Sequence, residues 1–230
     1  MRNIKNGRKN PFYIVNEKNA REIAADRTKR PDLRLSAIHF LKNQEDIIKL
    51  ALAKDEAEYI RGLAFWYIRD QTLLERIALS ETGDVFSRKS ATRWAENQSI
   101  LSKIALTDKD AQVRELATRK CKEQSTLVSV AQNDESFLVR LSAINKIKDQ
   151  ETLMHIALTD KDGSVKRMAA RTLTDTNAIF SLALSTDDYD VARITVEELS
   201  DKEMLLEVAS KAKYWKARDD ANMKLNFNTN

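Results

Sequence analysis

The feature that most constrains this chain is that it repeats itself every 26 or 27 residues. An apolar residue followed by alanine recurs at Ile23-Ala24, Leu50-Ala51, Ile77-Ala78, Ile104-Ala105, Val130-Ala131, Ile156-Ala157, Leu182-Ala183 and Val208-Ala209. A second residue pair, usually apolar then basic, runs in phase with it. Its copies are Leu33-Arg34, Ile60-Arg61, Ser87-Arg88, Val113-Arg114, Val139-Arg140 and Val165-Lys166. The seventh copy, Val191-Ala192, has its base one place later at Arg193, and the eighth is Ala217-Arg218. Two tracks held in register over eight copies mark a repeat architecture. Each unit of such an array buries its apolar stripe only against its neighbours.

Each unit reads as two helices. Helix A carries apolar residues at i, i+3 and i+4, as in Leu127, Val130 and Ala131. Helix B carries them at i, i+4 and i+8, as in Val139, Ala143 and Ile147. Either spacing gives one apolar stripe on a helix. Ala37, Ala64, Ala91, Ala117, Ala143 and Ala169, at the middle of helix B, allow neighbouring helices to approach closely. The chain has only 4 Gly and 2 Pro, a poor supply of turn formers for a β fold. Asp70, Asp149, Asp175 and Asp201 stand just before helix A, where a carboxylate caps free N–H groups. The fold class is therefore all-α. The units fall at 17–43, 44–70, 71–97, 98–123, 124–149, 150–175, 176–201 and 202–227. They are expected to form one domain over 17–227, with a flexible or capping segment at 1–16 and a short tail at 228–230.

An acid in the A–B turn precedes the helix-B base by six places in Asp55 and Arg61, Asp108 and Arg114, Asp134 and Arg140, and Asp160 and Lys166. On these residues the chain resembles the HEAT-like repeat family over 17–227. The resemblance implies a right-handed α-solenoid of about eight helix pairs. It implies a ladder in which these acids and bases tie one unit to the next. It also implies that helix B lines the concave surface. Thr82, Thr186 and Ala212 replace the acid and Ala192 the base, so the ladder is expected to break near the seventh unit. The family pattern specifies architecture and not function.

Function is expected where the copies differ. On the solvent side of helix B, units three to six carry Lys89, Arg93, Arg119, Lys120, Lys122, Lys146, Lys148, Arg167 and Arg171, opposed by Glu96 and Glu115. Nine bases less two acids give +7 on this strip, against +4 for the whole chain. The earlier units carry His39, Phe40, Trp66 and Tyr67, followed by Trp94, and the seventh carries Glu197 and Glu198. A structural reading competes with a binding one. Bases near helix C-termini complement the helix dipole, and long cationic stems cover apolar surface.

Catalytic and metal patterns are absent from the sequence. Of the two histidines, His39 is a lone imidazole with no fixed carboxylate neighbour, and His155 occupies a column that tolerates any residue. Cys121 falls in a core column. No zinc-type Cys/His spacing, Gly-rich phosphate loop or H-E-x-x-H motif occurs. Alkylpurine DNA glycosylases share a HEAT-like architecture, but nothing beyond the repeats matches them, so no catalytic residue is carried over. The expectation is a non-enzymatic scaffold without cofactor or metal, binding a protein partner with an acidic surface. The alternative is a nucleic-acid binder using the basic strip. A single cysteine points to the cytoplasm, and no segment has the ~20 apolar residues of a membrane span.

Overall fold

The computed structural model describes residues 15–227, except the side chains of Glu17 and Phe227. The expected tail and most of the expected N-terminal segment lie outside the described residues. Among the described residues there are sixteen helices and no strand. The chain divides between Trp94 and Ala95 into two compact units.

The first unit holds α1 (Glu17–Ala25), α2 (Pro31–Ile38), α3 (Gln44–Leu52), α4 (Glu58–Tyr67), α5 (Gln71–Ala78) and α6 (Val85–Trp94). The second holds α7 (Gln98–Thr107), α8 (Ala111–Lys120), α9 (Gln124–Asn133), α10 (Phe137–Ile144), α11 (Gln150–Thr159), α12 (Gly163–Thr172), α13 (Thr176–Ser185), α14 (Tyr189–Glu198), α15 (Lys202–Lys211) and α16 (Trp215–Phe227). Odd-numbered helices correspond to helix A and even-numbered ones to helix B. Each helix packs on its pair-mate. In the first unit α2 also packs on α4, and α4 on α6. In the second, α8, α10, α12, α14 and α16 pack in succession, as do α7, α9, α11, α13 and α15. The architecture is thus an all-helical repeat fold.

The helices are short, so their ends matter. The first turn of an α-helix has N–H groups without intrahelical partners. Asn16, Asn43 and Asp70 accept from these groups in the first unit. Asn97, Asp110, Asp149, Asp162, Asp175, Asp188 and Asp201 do so in the second. Each such cap contributes about 0.5–2 kcal/mol. The apolar–alanine track is the core of helix A, as in Leu101, Ile104 and Ala105. The mid-helix alanines Ala37, Ala64, Ala91, Ala117, Ala143 and Ala169 are all fully buried. Cys121 is buried beside Ser102, its Sγ 3.4 Å from the serine hydroxyl.

The bases of the second track form a ladder whose register differs from the six-residue spacing. Arg114 donates to Asp134 in the following pair at 2.8 and 3.0 Å, and Arg140 donates to Asp160 at 2.8 Å twice. The acid six residues earlier offers its backbone instead: Arg114 donates to the Asp108 carbonyl and Arg140 to that of Asp134. Three copies depart from the expected residues. Arg34 pairs with Glu56, while neighbouring Asp55 lies at the surface with Arg27. Arg61 pairs with Asp84, so the unit with Thr82 keeps a ladder acid two residues further on. Lys166 forms no ion pair among the described residues, and the adjacent Arg167 reaches Asp190 at 3.0 Å. A lysine has no planar fork with which to bridge two acceptors at once.

Candidate partner-binding faces

In the first unit the C-terminal ends of α2, α4 and α6 bring His39, Phe40, Trp66, Tyr67, Arg93 and Trp94 to equivalent positions of packed helices. Ile38 and Phe65 are both fully buried, so the residues directly after them, His39 and Trp66, turn outward. Tyr67 is half-buried and its hydroxyl is hydrogen-bonded to His39 Nδ1. The two rings meet edge to face, centroids 5.6 Å apart. Trp66 leans on Tyr67 at 4.8 Å and 65° and is still 52% exposed. His39, Phe40 and Arg93 are exposed, and Trp94 is half-buried. An indole braced by a neighbouring ring and still half exposed is a preformed contact surface. No ring contact joins Trp66 to Trp94 among the described residues.

The basic strip is divided by the structure. Lys89, half-buried, and Arg93 belong to the first unit, and the other seven bases to the second. Several of those seven serve the fold. Lys146 donates to the backbone carbonyls of Thr118, Arg119 and Cys121 and so closes the C-terminus of α8. Burial pushes its ammonium below the usual lysine value. Lys224 repeats the device on Val196 and Glu197 of α14. Arg119 pairs with Glu115, and Arg167 with Asp190. Lys120 is half-buried. Lys122, Lys148 and Arg171 are exposed and form no ion pair among the described residues. Glu197 and Glu198 are exposed.

A third track escaped the sequence reading. Gln44, Gln98, Gln124 and Gln150 open their A helices, and each side chain clasps a B–A turn. Gln124 accepts from the Lys148 N–H and donates to the Lys146 carbonyl. Gln98 accepts from Lys122, Gln150 from Thr174 and Asp175, and Gln44 from Arg69. Lys122 and Lys148 are thus held by their backbones while their side chains stay exposed. The spacing of these glutamines was visible, but glutamine on a helix reads as ordinary surface.

A cavity of about 600 Å³ lies between helix pairs of the second unit and is lined by Asp134, Glu135, Arg140, His155, Thr159 and Asp160 among others. The Arg140 and Asp160 side chains lining it are already paired with each other. Among the described residues no group of His, Cys, Asp and Glu could hold a metal ion, and no helix is long and apolar enough to cross a membrane. No protein-family model, curated protein or solved structure matches the chain.

Proposed function

We propose that the chain is a non-enzymatic scaffold that docks a protein partner with an acidic surface. In this reading the pairs form a right-handed α-solenoid of about eight HEAT-like units, and helix B lines its concave face. The register that runs through all eight sequence copies supports that architecture. A cytoplasmic location, read from the single cysteine, belongs to the same proposal.

One observation carries the partner reading: the half-exposed indole of Trp66, held by Tyr67 and His39 at the level of Arg93. Trp, Tyr and Arg dominate interface hot spots: the two aromatics supply much contact area for few rotatable bonds, and the arginine fork supplies several donors in a fixed plane. The exposed Lys122, Lys148 and Arg171 add positive charge that steers an acidic partner. The same three bases favour nucleic acid as a second reading. Lys146, Arg119 and Arg167 are engaged internally, which shortens any run of phosphate contacts.

A pull-down from cell extract with the wild type, Trp66→Ala and Lys148→Glu variants tests this, paired with oligonucleotide binding at low and moderate salt. Loss of a protein partner in either folded variant supports the reading. Oligonucleotide binding that falls about 10³-fold between 50 and 200 mM salt, with no protein captured, contradicts it.

A further inference from the structure

The aromatic patch of the first unit has a spacing that selects among partner segments, and the inference rests on the protein-partner reading above. Position by position, His39-Phe40 just after α2 match Trp66-Tyr67 at the end of α4 and Arg93-Trp94 at the end of α6. All six side chains end in a planar group. His39, Trp66 and Arg93 make an exposed row across the helices, and the half-buried Tyr67 and Trp94 stand beside it. Packed helices lie ~8–10 Å apart, so the row offers one planar group at about that interval. An extended β-strand shows same-face side chains every ~6.6 Å and falls out of step. A polyproline II helix has three residues per turn and a rise of ~3.1 Å, so it presents every third residue on one face at ~9.3 Å.

We propose that this row docks an acidic, proline-containing segment in the polyproline II conformation, crossing α2, α4 and α6. Proline rings stack on the exposed part of the Trp66 indole, which is braced by Tyr67, itself hydrogen-bonded to His39. The indole N–H of Trp66 has no partner among the described residues. It meets a backbone carbonyl of the segment, since polyproline II makes no internal hydrogen bonds. Exposed Arg69, just after α4, selects carboxylates over lysines in the segment.

The test is a calorimetric titration of the full chain with four probes. These are a nine-residue peptide of three Glu-Pro-Pro units, its Lys-Pro-Pro counterpart, a nine-residue oligoglutamate and a nine-nucleotide oligothymidine. The expected result is binding of the Glu-Pro-Pro peptide alone, weakened about tenfold or more by Trp66→Ala. Arg69→Glu, on an exposed side chain, is expected to weaken it as well. No binding of the Glu-Pro-Pro peptide, or equal binding of oligoglutamate, overturns the proposal. So does an unaffected Trp66→Ala variant with intact circular dichroism. Preferential binding of oligothymidine overturns it in favour of nucleic acid. If the peptide fails while Trp66→Ala still loses a protein in the pull-down, the polyproline geometry falls and the partner reading stands.

Discussion

At the scale of single residues, the ion-pair ladder carries the largest stakes. The Arg140 and Asp160 side chains are 2% and 7% exposed and share two hydrogen bonds. Desolvating both charges offsets much of their attraction, so the intact pair adds little over an apolar substitute. Removing one partner differs, because a buried guanidinium is stranded. Asp160→Ala is expected to cost about 3–5 kcal/mol in denaturant unfolding. A double variant, Arg140→Met with Asp160→Leu, is expected to recover most of that loss; a double variant as unstable as the single one would show that the pair adds net stability. Asp84 gives the ladder a pH signature. Burial works to raise its carboxyl, but hydrogen bonds from Ser87 and Arg61 overcome this and hold it at about 2, below the ordinary 3.8. A carboxylate depressed in the folded state stabilises above its unfolded value and loses that contribution as pH falls through the folded one. Wild-type stability is expected to drop between pH about 4 and 2, and Asp84→Asn, already weaker at neutral pH, to drop less over that range. Equal slopes in the two melts would remove Asp84 from the ladder's acid response.

At the scale of the helix, two turn devices separate folding from binding. Lys146 and Lys148 are two residues apart and looked equivalent in the sequence. Lys146 points back onto three carbonyls ending α8, whereas Lys148 is clasped through its backbone by Gln124 and leaves its ammonium exposed. Lys146→Met is expected to cost about 1 kcal/mol in thermal melts with partner binding unchanged, and Lys148→Glu the reverse. Gln124→Ala is expected to cost about 1–2 kcal/mol and to speed hydrogen exchange at the Lys148 amide. Unchanged exchange there would mean the clasp contributes nothing. This pair also shows what the sequence could tell. Helix positions and core columns were legible because burial imposes a period on apolar residues. The ladder's partners were not, because a base reaches across to the next pair, and Glu56 serves as well as Asp55 once a turn shifts by one residue. The exposure of Trp66 was undecided in advance, since an aromatic at that position suits either a helix interface or solvent.

At the scale of the molecule, the division between Trp94 and Ala95 sets apart two kinds of surface. The first unit carries the planar patch; the second carries Lys122, Lys148, Arg171 and, further on, the acidic pair Glu197 and Glu198. Within the second unit, A-on-A and B-on-B packing is continuous from α7 to α16. In a repeat array stability is a sum of neighbour interfaces. Residues 95–230 expressed alone are therefore expected to keep their helicity and to unfold cooperatively by circular dichroism; a non-cooperative melt would show that they depend on the rest of the chain.

The central claim is that a protein partner docks on the first unit's aromatic face. Site-specific photocrosslinking in cells tests it most directly, with a benzophenone side chain in place of exposed Phe40 and a control in place of Tyr59, equally exposed near the start of α4. The expected result is a discrete adduct from position 40 that protease removes and nuclease does not, with little from position 59. A nuclease-sensitive adduct, or equal yields from both positions, would contradict the account.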